Sequence, residues 1–192
     1  MSDPDVRTRI LHEATRLFAE RGYGATSVRE VVQAAGVTKP TLYYHFANKE
    51  ALFLETVHLH LERLNGLVEE ALASPGSVRA RLERFVEHYV QGALDDVPAV
   101  RLLMTVQHPA EKGRPQVDVM TVHLHKVELL TGLIAEGIES GELRADLDPR
   151  AAVLAFIGMV NFYLVAQIHG VAMPPDHARR LLDIFFHGAA RR

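Results

Sequence analysis

Between Ser27 and Leu52 the chain reads SVREVVQAAGVTKPTLYYHFANKEAL. Thr38, Lys39, Thr41, Tyr43, Tyr44 and His45 stand close together there, and Lys49 follows. Each of these side chains hydrogen-bonds, stacks or carries positive charge, and none is an acid. A helix with such a face suits the major groove of duplex DNA, which admits a helix and offers donors, acceptors and thymine methyls. Residues near the N-terminal end of such a helix usually reach the bases. Lys39 and Thr41 are therefore the candidates for base edges, and Tyr43 for a base or a phosphate, with Thr38 at the start of the same face. Tyr44, His45 and Lys49 are placed for phosphates. The N–H groups of the helix that Lys49 opens also favour an anion. Ser27 and Arg29, and with them Thr26, begin the preceding helix and are candidates for further phosphate contacts.

Local punctuation predicts the elements that hold these residues. Ser27 and Glu30 form an S-x-x-E capping box that opens a short helix. Gly36 gives the corner its backbone freedom. Thr38 caps a second short helix, with Pro40 in the first turn, where a missing N–H does no harm. Val28, Val31 and Val32 give the first short helix an apolar side, and Val37, Leu42 and Phe46 return the second to the core. Small Ala34 and Ala35 allow close approach. This is a helix-turn-helix pattern. Before it, Asp3-Pro4 marks a helix start. Ile10, Leu11, Ala14, Leu17 and Phe18 make one apolar stripe, and Gly22 is read as that helix's end, in the left-handed conformation.

The spacing of Phe18, Gly22-Tyr23, Thr26, Val28, Ala35-Gly36-Val37, Thr41-Leu42-Tyr43, His45-Phe46 and Lys49-Glu50-Ala51-Leu52 resembles the TetR (tetracycline repressor) family of bacterial transcriptional regulators. The likeness covers about the first quarter of the chain. It implies an all-α protein of nine or ten helices, with an N-terminal three-helix DNA-binding domain and a C-terminal ligand-binding and dimerisation domain. It also implies a homodimer on a pseudo-palindromic operator. We set the domains at 1–48 and 49–192.

The remainder reads as helices throughout, nine in all. Asn48 caps a fourth, from about Lys49 to Ala73, roughly 36 Å long. Ser74-Pro75-Gly76 breaks it. A fifth carries Val78, Leu82, Phe85, Val86, Tyr89 and Val90 on one side, and a short sixth follows Asp96 and Pro98. After a loop from His108 to Pro115, a seventh runs from about Gln116 to Glu139. Asp148-Pro149 opens a very apolar eighth that Gly170 closes, and a ninth spans about Asp176 to Ala190. Phe85, Tyr89, Leu103, Met104, Gln107, His123, Val127 and Phe162 are the candidate lining of an effector cavity, by helix phase; plain core packing suits the same positions. An apolar or amphipathic effector is expected, with Gln107, His108, His123 and Asn161 as its polar partners.

The eighth helix is apolar on all sides, as a fully buried helix is. Ala152, Phe156, Met159, Tyr163 and Ala166 are read as one side of it, and Leu154, Ile157, Asn161, Leu164 and Ile168 as the other. Leu154, Ile157, Asn161, Leu164 and Ile168, with Leu181, Ile184 and Phe185 of the ninth, are the expected homodimer surface. The last two helices form a four-helix bundle in TetR-like proteins. Burial within one chain is the alternative.

Composition narrows the function classes. The 192 residues hold 21 Lys and Arg against 24 Asp and Glu, for a net charge of −3, and no Cys. The absence of Cys excludes disulfides, thiol nucleophiles and Cys-ligated metals. Residues 1–50 hold seven bases and six acids, so a basic face is local at best. No leader is expected at the N-terminus, Ala151 to Ala166 is too interrupted for a membrane span, and the expected location is the cytoplasm. His58/His60 and His123/His125 stand at i, i+2, which points them to different helix faces, so no metal site or cofactor is expected. No nucleophile elbow, P-loop or dinucleotide fingerprint occurs. The expected function is a ligand-responsive repressor, not an enzyme. The competing reading is a helical small-molecule-binding protein or enzyme without DNA function.

Overall fold

The structure is a computed structural model that describes residues 6–107, 113–174 and 176–188. Among them the chain is all-helical: α1 (Val6–Ala25), α2 (Val28–Ala34), α3 (Lys39–His45), α4 (Lys49–Ala73), α5 (Val78–Leu94), α6 (Val97–Val106), α7 (Val119–Glu139), α8 (Pro149–Ile168) and α9 (His177–His187). The described residues pack as two compact units. One is drawn from Met1–Arg63 and Asp96–Val119, the other from Leu64–Asp95 and Met120–Arg192. The expected start at Asp3-Pro4, His108 and much of the loop after it, and the last residues of the expected ninth helix lie outside the described residues.

In the first unit α1 packs against α2, α3 and α6. Ile10, Leu11, Ala14, Leu17 and Phe18 of α1 are buried, as are Val31 and Val32 of α2, Leu42 of α3, and Phe46. Gly22 interrupts α1, and Val6–Ala25 is two helical stretches joined at it. It breaks the helix there, with φ 79 in the left-handed range that favours glycine and ψ 172, as expected of a break, and a short helical stretch continues past it to Ala25. At the break the Thr26 hydroxyl shares its single proton between the Gly22 and Leu17 carbonyl oxygens, at 2.8 and 3.2 Å. The same break folds Tyr23 back onto Phe18 and Phe53, with ring centroids 6.0 and 5.0 Å away.

Helix α6, assigned by sequence to the second domain, packs on α1 instead. Asp96 caps it, its carboxylate accepting from the Ala99 N–H at 3.2 Å. Beside this cap lies a buried polar line. His60 Nε2 is 2.8 Å from Thr15 Oγ1. The Thr15 hydroxyl donates to the Leu11 carbonyl at 2.8 Å, so its oxygen accepts from His60. His60 Nδ1 is 3.8 Å from Asp96, which also pairs with Arg63 at 3.3 Å. Burial pushes the His60 imidazole below its usual pKa, and the Asp96 charge opposes that push.

The second unit closes around Val68, Leu72, Leu82, Phe85, Val86, Leu130, Ile134, Val153, Phe156 and Leu182. Phe156 links α5 to α9, with Phe85 at 5.8 Å and Phe185 at 5.1 Å. Helix α7 begins at Val119, three residues later than expected. Pro115 and the two residues after it are non-helical, and Asp118 is the acceptor type that favours the position before a first turn. Asp148 caps α8, accepting from the Ala151 N–H at 2.7 Å.

The phase of α8 corrects the expected faces. Ala152, Val153, Phe156, Val160 and Leu164 point inward, while Leu154 (56% exposed) and Phe162 (76%) point outward. Among the described residues α8 is long and apolar enough to cross a membrane by length and composition, and part of it is buried within the chain.

Candidate nucleic-acid interface and effector unit

Helix α3 is built to stand out from the surface of the first unit. Its N-terminus is closed by Thr38, whose hydroxyl oxygen accepts from the Thr41 N–H at 3.3 Å and lies 2.8 Å from the Thr41 hydroxyl. The corner before it turns at Gly36, φ +64, where a β-carbon strains the backbone. Leu42 and Phe46, 0% and 1% exposed, fix the rod to the core. Helix α2 is tied by both halves of its capping box: the Ser27 oxygen accepts from the Glu30 N–H at 3.2 Å, and the Glu30 carboxylate accepts from the Ser27 N–H at 2.8 Å. That carboxylate is held below the usual range, first by the Ser27 hydroxyl and then by the Ser27 N–H. Ala35 rather than Ala34 makes the close approach, since Ala35 is 7% exposed and Ala34 lies at the surface.

The outward residues form one surface. Thr38, Lys39, Tyr43 and Tyr44 are exposed, Tyr44 most of all at 86%, and Thr41 and His45 are half-buried beside them. Arg29 is exposed on α2. Neither Arg29 nor Lys39 pairs with an acid among the described residues. Arg21, by contrast, is paired with Glu30. Lys49 opens α4, whose first turn is capped by Asn48 accepting from the Ala51 N–H at 2.8 Å. Its ammonium sits over the Tyr23 ring, 4.1 Å from the centroid. An aromatic face holds a cation in place without neutralising it. Thr26, expected at a phosphate, is instead 1% exposed with its hydroxyl spent on the α1 break, and Ser27 is engaged in its capping box. The structure thus joins Arg29, Thr38, Lys39, Thr41, Tyr43, Tyr44, His45 and Lys49 around one protruding rod and turns Thr26 away. A capped helix with this face has the shape and chemistry that a major groove admits. Sequence reasoning missed the Tyr23 support of Lys49; the signal was an aromatic one residue past the Gly22 break.

The expected effector-lining residues divide between the units. Leu103, Met104 and Gln107 belong to the first; Phe85, Tyr89, His123, Val127 and Phe162 belong to the second. Within the second, the Tyr89 ring stacks on Phe85 at 5.5 Å, and its hydroxyl donates to Asn161 Oδ1 at 3.3 Å. Burial pushes that hydroxyl up to about 12. His123 is half-buried and lowered, first by burial and then by the Lys126 charge. Phe162 faces outward and lines none of this. Lys126, which no sequence reading singled out, is 7% exposed, and its ammonium lies 5.1 Å from the Tyr89 centroid. Burial lowers it from 10.5 to about 8. The signal was its phase: Lys126 shares a helical stripe with Leu130 and Leu133.

Of the residues expected at a dimer surface, Leu154 and Ile184 are exposed at 56% each, and Ile157 and Ile168 are half-buried. Leu164 and Leu181 are buried, and Asn161 and Phe185 are half-buried, Asn161 held by Tyr89 and Phe185 packed on Phe156. Phe162, 76% exposed, also stands on the outer face of α8. It borders an apolar groove of about 490 Å³ between α8 and α9, with Met159, Met173, Leu181 and Ile184. Among the described residues no three His, Cys, Asp or Glu stand close enough to hold a metal ion.

Comparison with known proteins agrees with this architecture. Residues 10–56 match the family described as bacterial regulatory proteins, tetR family, and residues 75–165 match the tetracyclin repressor-like C-terminal domain. The HTH-type transcriptional repressor KstR2 of Rhodococcus jostii is 33% identical over 147 residues, covering 76% of this chain and 72% of its own. The fatty acid metabolism regulator protein of Bacillus subtilis is 27% identical over 159 residues, covering 80% and 78%. The crystal structure of the TetR family transcriptional regulator PfmR from Thermus thermophilus superposes with a TM-score of 0.77 at 30% identity, covering 95% of this chain and all of that one. These relatives are transcriptional regulators, not enzymes. With a capped helix-turn-helix in the first unit and a matching helical domain after it, the chain belongs to the TetR family of bacterial regulatory proteins.

Proposed function

We propose that the protein is a ligand-responsive repressor acting in the cytoplasm, where its DNA lies. Two copies join through the outer faces of α8 and α9 and set two α3 rods on the half-sites of a pseudo-palindromic operator. Lys39, Thr41 and Tyr43 read base edges. Arg29, Tyr44, His45 and Lys49 hold phosphates, which fix register without selecting sequence. The observation that carries this reading is the α3 face: a capped, core-anchored rod whose outward residues include no acid, with Arg29 and Lys39 uncommitted. The exposed strip of Leu154, Phe162 and Ile184 supports the pairing, since apolar surface of this kind is costly in water. An apolar or amphipathic effector in the second unit favours a state that no longer fits the half-site spacing, and so releases the operator. The Bacillus subtilis relative is a fatty acid metabolism regulator protein, and this likeness supports an acyl-type effector.

Fluorescence anisotropy with DNA from upstream of the protein's own gene, against a random duplex of equal length, tests the reading. Preference for the upstream DNA is expected, and Lys39→Ala should erase preference at one position of each half-site. Equal affinity for both duplexes would overturn it.

A further inference from the structure

Helix α7 carries a charge where the packing calls for an apolar residue. Lys126 falls in step with buried Leu130 and Leu133, and it is itself only 7% exposed. An isolated ammonium in such a place is unfavourable unless something neutralises it. Nothing in the unit does so among the described residues. Glu69 pairs with His125, and Glu136 pairs with Arg81. The Lys126 ammonium lies instead over the face of Tyr89, which attracts a cation but leaves it charged.

The surroundings suit an anion with an apolar body. Tyr89 stacks on Phe85, and Phe85 packs on Phe156, so aromatic surface leads away from the ammonium. Asn161 spends its carbonyl oxygen on the Tyr89 hydroxyl, which leaves its amide N–H groups as donors. His123, one turn before Lys126, is kept toward its neutral form by burial and by the lysine. One positive charge, amide donors and an aromatic wall describe the recognition of a carboxylate or phosphate group attached to a hydrocarbon or ring.

We propose that Lys126 is the receptor for the anionic head group of an otherwise apolar effector, with Asn161 as its hydrogen-bonding partner and the Phe85–Tyr89–Phe156 aromatics against the apolar part. This rests on the reading of the second unit as the effector domain. It adds what that reading lacks: a charge requirement and the residue that imposes it. The free protein holds the ammonium poorly, and an anion that arrives with its charge repairs that defect, so uncharged analogues bind more weakly.

The test is calorimetric titration of the full-length protein with dodecanoate, dodecanol and dodecanoyl coenzyme A, and the same titrations on Lys126→Met and Lys126→Arg. Charged ligand should bind the wild type about tenfold or more tighter than the alcohol. Lys126→Met should lose that preference while keeping the alcohol, and Lys126→Arg should retain it. Dodecanoate favoured over the thioester assigns a free carboxylate, and the reverse assigns the phosphates of the carrier. Alcohol binding as tight as either anion, or a preference that survives in Lys126→Met, would overturn the anion site and leave the apolar effector standing. Binding of none of the three would overturn both. Circular dichroism of each variant verifies that it is folded.

Discussion

Replacing Lys126 by Met should make the protein more stable at neutral pH, and the gain should fade as pH rises. The ammonium is lowered from 10.5 to about 8 on folding. At about 1.4 kcal/mol per pH unit, that gap costs the folded state about 3 kcal/mol below pH 8. The Tyr89 ring, 5.1 Å from the ammonium, offsets about 1 kcal/mol of this. A thioether of similar length fills the same space with no charge to bury, so the net gain for Lys126→Met is about 2 kcal/mol at pH 7. The folded pKa is depressed, so between about 8 and 10.5 the unfolded chain binds the proton that the folded chain has released. Stability of the wild type relative to the variant therefore rises across that window. Urea denaturation of both proteins at matched protomer concentration, from pH 7 to pH 10, reads the difference directly. The concentration must be matched because association shifts the midpoint. The other titrating groups are common to the two proteins and cancel, apart from His123, whose lowering by the Lys126 charge is lost in the variant. A wild type more stable than Lys126→Met at pH 7, or a difference that stays constant to pH 10, would refute the claim that this lysine is buried without a counter-charge.

Phe162→Glu should convert the protein to monomers by sedimentation equilibrium and weaken operator binding more than tenfold, because each monomer then reads one half-site; an unchanged dimer would remove α8 from the interface. Lys49→Ala should weaken binding to every duplex and lower the slope of log affinity against log salt by about one; an unchanged slope would take Lys49 off the phosphates. Gly36→Ala should cost about 1 kcal/mol, because φ +64 strains any residue with a β-carbon while open space surrounds the position; thermal denaturation measures it. His60→Gln should lessen the loss of stability on acidification. The His60 imidazole is lowered on folding, so the unfolded state takes up the proton first as pH falls through about 6.5 and stability drops there. A denaturation series from pH 7.5 to pH 5 with the same fall in both proteins would contradict this.

The helix-turn-helix was legible because its signals are local. A capping box, a glycine corner and a threonine cap each act within four residues, and each is found where the chain placed it. Most helix limits followed for the same reason. What failed depended on distant packing. Nothing in α6 announces that it packs on α1, because an apolar helix of ten residues satisfies either neighbour equally well. Phe162 was misplaced because α8 is apolar all round, so periodicity gives no preferred inner face. Thr26 was taken for a surface hydroxyl because the chain break that needs it is made by the geometry of Gly22, not by its presence alone. Lys126 was passed over for the opposite reason: its phase was readable, but a lysine is ordinarily assumed to reach solvent.

The outer strip of α8 also bears on how the protein is handled. With Leu154 and Phe162 turned away from the chain's own core, a solitary protomer offers oily surface to whatever is nearest. Under the pairing proposed above, mild detergent and plastic walls compete with the second copy for that surface, and dilution favours them. Losses on storage should therefore grow as the preparation becomes thinner, contrary to ordinary aggregation, which worsens with concentration.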